Sequence, residues 1–131
     1  MYSFSANSRQ RLETCDDRLQ RVLTEAIKHI DFTVVCGHRT KEEQNLAFNT
    51  GKSKLQFPRS RHNSYPSKAV DIAPYPIDWS NRERFYFLAG IVLGIAASMG
   101  IKLRYGGDWD GDGDITDNTF DDLVHFEIVE G

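Results

Sequence analysis

The sequence predicts an α+β fold, with a small, mainly antiparallel sheet packed against helices. Two long segments carry helical apolar spacing or a long apolar run, and four short segments are rich in β-branched and aromatic residues. These segments do not alternate strictly, as a parallel sheet with crossover helices would require. A chain of 131 residues suits one domain, and we assign residues 1–131 to it.

The first segments are a helix and a short strand. Residues 8–30 place apolar side chains at intervals of three and four, so they predict one helix, with Ser8 as its N-cap. Residues 32–36 are β-branched and aromatic and predict a strand that ends at Gly37.

A second helix and a loop follow. Residues 40–48 predict the helix, because Thr40 and Glu43 have the spacing of a capping box. Residues 51–59 are basic, polar and interrupted by a proline, which is typical of a surface loop.

The central segments are a strand and a long apolar helix. Residues 68–73 predict a core strand that ends at Pro74 and Pro76. Residues 81–99 predict a buried helix, with Ser80 as the N-cap.

Two further strands complete the sheet. Residues 101–105 alternate between apolar and polar side chains, and so do residues 124–129. The alternation places His125 and Glu127 on the same face of the last strand.

Composition and charge exclude several classes of protein. Hydrophobic residues make up 40% of the chain and charged residues 27%, as in globular domains. The start of the sequence lacks the pattern of a secretory signal. The apolar run at residues 85–99 is too short to cross a bilayer, which takes about twenty residues. The spacing of Cys15 and Cys36 is not that of a pair of metal ligands, and we expect both thiols to be reduced.

The net charge of −3 hides an asymmetry. Residues 108–122 contain seven aspartates and no lysine or arginine, so the rest of the chain is mildly basic. Surface charge of this size usually serves solubility. We predict neither nucleic-acid binding nor membrane insertion.

Two histidines and one aspartate form the strongest candidate site. His62 and Asp71 lie in residues 60–71, and His125 lies in the last predicted strand. Two imidazoles and a carboxylate are a ligand set that zinc accepts, and three protein ligands leave a fourth position open for water. Imidazole suits zinc better than magnesium, and hydrolysis needs no redox metal. The set therefore predicts a zinc hydrolase.

Asp122 is the predicted general base, because it lies three residues before His125. In zinc hydrolases a carboxylate that is not a ligand takes a proton from water. The neighbouring Asp121 competes for this role, and a solvated aspartate is the alternative interpretation of Asp122.

Arg39 follows a strand and Gly37, so its guanidinium could reach over the sheet end to the metal and stabilise an oxyanion there. The alternative is a surface arginine that caps the next helix. We also predict that Ser60 holds the loop of His62, and that Glu127 orients a ligand or contacts substrate.

The acidic segment contains candidate calcium ligands at alternate positions, which are Asp108, Asp110, Asp112 and Asp114. With Gly113 they match the first half of an EF-hand loop. The second half does not match, because Thr119 occupies the position of the bidentate glutamate. Asp117 and Asp121 are additional candidate ligands, and a hydrated acidic turn is the alternative. A bound calcium would order the segment before His125.

These motifs resemble those of the zinc D,D-/L,D-peptidases, a family that includes VanX-like and VanY-like enzymes and phage L-alanyl-D-glutamate endopeptidases. The resemblance spans about residues 32–128. It rests on Ser-x-His, on a small residue before Asp and on Asp-x-x-His, which correspond here to Ser60, His62, Ala69, Asp71, Asp122 and His125. The segment around Arg39 is similar to the family's arginine segment, so the resemblance implies that Arg39 is the oxyanion stabiliser. The match to Asp-x-x-His likewise favours Asp122 over Asp121 as the general base. This sequence has two extra residues between His62 and Asp71, and it lacks a glycine that the family usually has there.

The resemblance implies a zinc endopeptidase of the phage endolysin kind, which cuts the L-alanyl-D-glutamate bond of peptidoglycan. From the length of 131 residues we expect no separate cell-wall-binding domain. A D-alanyl-D-alanine carboxypeptidase is the enzymatic alternative. A non-catalytic calcium-binding virion module is the alternative from another class. We expect a monomer that stays in the host cytoplasm until a separate membrane-permeabilising protein releases it to the wall.

Overall fold

The computed structural model describes residues 2–116 and 121–130. In chain order its elements are α1 (Ala6–Leu12), α2 (Asp17–Ala26), β1 (Phe32–Cys36), α3 (Lys41–Asn49), a 3₁₀ turn (Arg61–Asn63), β2 (Ala69–Pro74), α4 (Arg82–Ser98), β3 (Leu103–Tyr105) and β4 (His125–Ile128). Within the described residues the strands form one antiparallel sheet in the order β1-β2-β4-β3. The predicted α+β class and antiparallel sheet are confirmed.

The two faces of the sheet have different roles. Alternate strand residues, such as Val70 and Ile72 in β2 and Phe126 in β4, enter the hydrophobic core with side chains from α2 and α4. Each such side chain contributes about 1.5–3 kcal/mol when it is fully buried. Because neighbouring residues of a strand point to opposite faces, Asp71 and His125 lie on the other face. The core therefore fixes the strands that carry the candidate ligands.

The predicted helix over residues 8–30 is wrong, because the structure divides it into α1 and α2. Asp16 causes the break: its side chain accepts a hydrogen bond from the backbone N–H of Arg18, which caps α2. Its own N–H donates to the Ser67 carbonyl at 2.8 Å, so the chain leaves helical geometry there. Ser8 is not an N-cap either. It is buried within α1, and its hydroxyl accepts from the Val34 N–H at 3.0 Å.

The remaining elements agree closely with the prediction. The capping box of Thr40 and Glu43 is present at the start of α3. The N-cap of α4 is Asn81 rather than Ser80, whose hydroxyl donates to the Asp78 carboxylate at 2.7 Å. Both cysteines are free thiols. Within the described ranges, none of the helices combines the length and the apolar character that crossing a bilayer requires.

Candidate metal centre

Three separate elements bring His62, Asp71 and His125 together. Asp71 of β2 lies directly opposite His125 of β4 in the antiparallel register. Side chains of such a pair share a face of the sheet at about 4.5–5.5 Å between Cβ atoms. His62 comes from the 3₁₀ turn, whose N-cap Ser60 accepts a hydrogen bond from the His62 N–H at 3.2 Å. Ser60 therefore caps the turn that carries His62.

The three donor atoms form a nearly equilateral triangle. His62 Nε2 and Asp71 Oδ1 are 3.2 Å apart, His125 Nδ1 and Asp71 Oδ1 are 3.2 Å apart, and the two imidazole nitrogens are 3.3 Å apart. A tetrahedral zinc with ligands at ~2.0–2.1 Å places neighbouring ligand atoms about 3.3 Å from one another. The donor set thus fits one zinc ion that keeps a fourth position for water or substrate.

The backbone carbonyl of Gly37 orients the ring of His62. Its Nδ1 lies 2.7 Å from the Gly37 carbonyl oxygen, so Nδ1–H donates there and Nε2 faces Asp71. Cys36 also lies on the Nδ1 side, with Sγ 3.9 Å away. A side chain at Gly37 would overlap the Arg11 carbonyl and Thr14. Glycine therefore lets the segment that orients His62 pack closely against the end of α1.

The ring of His125 is oriented by Glu127, which comes from the same face of β4. His125 Nε2 lies 2.8 Å from Glu127 Oε1, so Nε2–H donates and Nδ1 faces Asp71. All three side chains are buried. The structure therefore places Glu127 against the ring nitrogen of His125 that faces away from Asp71.

The electrostatics of the site favour a cation. Burial lowers the pKa of His62, but the charge and hydrogen bond of Asp71, together with Cys36, outweigh burial and raise that pKa to about 10. Burial also opposes charging of His125, while hydrogen bonds to Asp71 and Glu127 raise its pKa to about 9. The two imidazoles lower the pKa of Asp71 despite the opposing effect of its burial. Positive charge is stabilised here, and a metal must displace protons to bind.

Asp122 lies beside this triangle. One oxygen each from Asp71 and Asp122 and one nitrogen from His125 fall within 4.8 Å of one another. Burial, followed by the Asp71 charge, raises the pKa of Asp122. Its backbone N–H donates to the Gly106 carbonyl at 2.9 Å, and a Cβ at Gly106 would overlap Asp122. Asp121 is exposed and instead pairs with Arg82, so of the two predicted candidates Asp122 is the one at the site.

Arg39 also reaches the site. Its Nη2 lies 3.5 Å from Asp71 Oδ2, and its Nη1 donates to Gln44 Oε1 at 2.8 Å. Its side chain is mostly buried, unlike that of a surface arginine. The backbone N–H of Arg39 donates to the His62 carbonyl at 2.8 Å, which ties the two segments together.

Gln44 holds this arrangement and was not predicted from the sequence. It is fully buried, and its amide donates to Ser53 Oγ at 2.9 Å and to the Leu55 carbonyl at 2.6 Å. Its oxygen also accepts from Asn63 at 3.2 Å. A glutamine on a polar helix gives no sequence signal of burial. Only its position one turn after the N-cap Thr40, beside Arg39, could have pointed to it.

The site opens into a cleft of about 890 Å³. Cationic and aromatic side chains line it together with the candidate ligands, and they include Arg39, Lys52, Lys54, Arg59, Arg61, Arg104, Trp79 and Trp109. The ring centroids of Trp109 and His125 are 5.5 Å apart. The cleft is large enough for several residues of a peptide.

The acidic segment brings together only part of the predicted calcium site. Oxygens of Asp108, Asp110 and Asp112 lie within 4.8 Å of one another. Asp114 accepts hydrogen bonds from Thr116 instead. Among the residues that the structure describes, Asp108 Oδ1 is buried without a hydrogen-bond partner. Two other positions named for this loop, 117 and 119, lie outside the described residues.

The chain is similar to known proteins over nearly its whole length. The model of a family described as "Phage L-alanyl-D-glutamate peptidase" matches residues 1–129. The chain is 36% identical over 139 aligned positions to the L-alanyl-D-glutamate peptidase of Escherichia phage T5, covering 98% of each protein. The crystal structure of ChiX, an L-Ala D-Glu endopeptidase of Serratia marcescens, matches with a TM-score of 0.75 and 27% identity, covering 96% of this chain and 89% of ChiX.

Proposed function

The chain belongs to the phage L-alanyl-D-glutamate peptidase family, and from this premise we propose that it is a zinc endopeptidase that cuts the L-alanyl-D-glutamate bond of peptidoglycan. The observation that carries the proposal is the triangle of His62 Nε2, Asp71 Oδ1 and His125 Nδ1, with sides of 3.2–3.3 Å, at the floor of a peptide-sized cleft. Zinc, when bound, supplies an electrophile that activates water at neutral pH and polarises the peptide carbonyl.

In this proposal Asp122 moves the proton. It is the carboxylate next to the triangle that neither histidine holds by a hydrogen bond, and burial raises its pKa. A raised pKa makes it a better proton acceptor than an ordinary aspartate. Asp122 accepts a proton from the attacking water and returns it to the leaving amine of the D-glutamyl residue.

Arg39 stabilises the negative charge that develops on the carbonyl oxygen. Gln44 and Asp71 hold its guanidinium in place before substrate arrives. Such preorganised donors cost no reorganisation during the reaction, and removing one typically lowers the rate by about 10²–10³-fold.

Digestion of purified peptidoglycan tests the proposal. We expect new N-terminal D-glutamate in the mass spectra of the fragments, loss of activity with a chelator and recovery with zinc. Loss of terminal D-alanine alone would instead identify a carboxypeptidase. Intact peptidoglycan in zinc-containing buffer would leave the calcium-binding virion module as the better interpretation.

We also propose that Asp108, Asp110 and Asp112 bind calcium. Their clustered oxygens and the buried, unpartnered Asp108 Oδ1 within the described residues support it. The segment is next to the candidate metal centre through the contact of Trp109 with His125. Calcium would therefore order the cleft wall beside the third zinc ligand.

A further inference from the structure

The cleft has a charge opposite to that of the whole molecule. Six lysine and arginine side chains line it against three carboxylates, whereas the chain carries a formal net charge of −3. The carboxylates are those of Asp71, Asp122 and Glu127, all next to the candidate metal centre. The excess of cations therefore faces the space that substrate would occupy, and it favours an anionic ligand.

Two of these cations converge on one carboxylate oxygen. Arg61 Nε lies 3.6 Å from Glu127 Oε2, and Arg104 Nη1 lies 3.7 Å from the same atom. Arg61 comes from the 3₁₀ turn, while Arg104 is the β3 residue directly paired with Glu127 in the sheet. Both arginine side chains are 44% exposed. The two guanidinium groups thus approach the cleft from separate elements.

Glu127 does not neutralise this pair. Its Oε1 is engaged by His125 at 2.8 Å, which leaves one oxygen for two positive charges. The distances of 3.6 and 3.7 Å are those of ion pairs rather than of hydrogen bonds. Each guanidinium has five N–H donors in a planar fork, and a carboxylate uses two of them. A second carboxylate would complete the charge balance.

We propose that Arg61 and Arg104 form a subsite for the free carboxylate of the D-glutamyl residue on the amine side of the scissile bond. The inference rests on the proposed function. In a stem peptide the residue on the acyl side of this bond is a neutral alanine, and the carboxylates all lie on the amine side. The glutamyl residue continues the chain through its side-chain carboxyl, so its α-carboxylate is free unless it is amidated. The enzyme therefore discriminates against amidated stems.

Two synthetic stem tripeptides test the subsite. They differ only in whether the α-carboxyl of D-glutamate is free or an amide, and kcat/KM is measured for each. We expect wild type to favour the acid by roughly 10- to 100-fold, as for loss of a charge-assisted hydrogen bond. Arg61→Gln and Arg104→Gln should each reduce this ratio towards one. Arg21→Gln is the matched control, because Arg21 is exposed on α2 and pairs with Asp17 away from the cleft.

The ratio of kcat/KM for the acid to kcat/KM for the amide distinguishes loss of carboxylate recognition from a general loss of activity. A variant that loses activity equally on both peptides acts through Glu127 and His125 alone, which overturns the subsite. Equal cleavage of both peptides by wild type overturns it as well while the proposed function stands. Cleavage of neither peptide, with intact peptidoglycan also uncut, refutes the proposed function instead.

A second pair of tripeptides tests which residue of the stem peptide supplies the carboxylate that Arg61 and Arg104 bind. Both contain amidated D-glutamate, and they carry either lysine or diaminopimelate at the third position. We expect their kcat/KM values to agree within about two-fold. A preference of tenfold or more for diaminopimelate that Arg104→Gln removes would assign the two arginines to the third residue and overturn the assignment to D-glutamate.

Discussion

His62 and His125 present opposite ring nitrogens to Asp71, and a different group fixes each choice. The Gly37 carbonyl takes the Nδ1 proton of His62, whereas Glu127 takes the Nε2 proton of His125. A histidine without such a partner samples both tautomers and several ring orientations. The sequence predicted the two imidazoles, but it contains no signal for a backbone carbonyl that approaches one of them from 25 residues away.

Asp122→Asn should keep zinc and lose about 10²-fold or more in kcat, because an amide cannot accept the proton. Asp121→Asn is the matched control, since Asp121 is exposed and pairs with Arg82; we expect it to stay within about two-fold of wild type. Zinc content by atomic emission and kcat on the tripeptide check both variants. If Asp121→Asn lost its activity while Asp122→Asn kept it, Asp121 would be the general base.

The junction between α1 and α2 is held by one side chain. Asp16 caps α2, and its carboxylate accepts from Lys68 Nζ at 2.8 Å and from Arg18 Nε at 3.0 Å. Lys68 immediately precedes β2. The N-terminal helices are thus tied to the strand that carries Asp71.

The stability contributed by Asp16 should depend on pH. The Arg18 hydrogen bond lowers the pKa of Asp16 far below its ordinary value, although burial opposes this. A lowered folded pKa means that the contribution is complete above the unfolded pKa of about 3.9 and is lost as the pH falls towards the folded value. Asp16→Asn keeps a capping group and should cost about 1 kcal/mol at pH 7, whereas Asp16→Ala should cost about 1 kcal/mol more.

Urea unfolding at pH 7 and pH 3 measures this difference. The gap in unfolding free energy between wild type and Asp16→Asn should narrow at pH 3. A gap that is the same at both pH values would show that the ion pairs of Asp16 contribute nothing.

The acidic loop between β3 and β4 should respond to calcium. We expect calcium to raise kcat/KM by roughly 5–150-fold, the range of typical coupling between two sites. The double variant Asp110→Asn, Asp112→Asn should lose this response and keep its zinc. Wild type that is equally active in calcium-free, zinc-buffered solution would contradict the coupling and leave the loop as an acidic turn.

The elements themselves were largely predictable, whereas the helix ends were less so. Apolar periodicity and β-branched runs identify the strands and α4, because burial of one face imposes those patterns. Ser8 and Ser80 have the right residue type for caps, yet tertiary contacts with Val34 and local ones with Asp78 engage them instead. The sequence around Asp16 contains no signal of a break between two helices, because the apolar spacing continues on both sides of it. The residue that caps a helix therefore depends on contacts that the apolar spacing does not reveal.

The candidate centre joins parts of the molecule that are far apart in the chain. Its donors come from the 3₁₀ turn, from β2 and from β4. None of the three elements can hold a metal alone, so zinc that binds the folded chain should stabilise the fold as a whole.

Zinc should therefore raise Tm. Free zinc at about one hundred times Kd adds about 2.7 kcal/mol, which corresponds to about 10 °C for a domain of this size. His62→Ala, Asp71→Ala and His125→Ala should each lose stoichiometric zinc and this shift, while the far-ultraviolet circular dichroism stays near that of wild type. Calorimetric melting with zinc and with chelator checks the effect. Full zinc retention in all three variants would refute the ligand assignment.

In the strand order β1-β2-β4-β3 the last strand to be synthesised lies inside the sheet, so the candidate metal centre is complete only late in translation. The strand that carries His125 is inserted between two strands made earlier, with Asp71 as its direct partner across 54 residues of sequence. A ribosome-bound or prematurely terminated chain that stops before β4 lacks the candidate metal donor His125 and also leaves β2 and β3 with unpaired edges, which are prone to aggregation. We therefore expect wall-cutting activity to arise only after nearly all of these residues have been translated, and truncated products to be inactive.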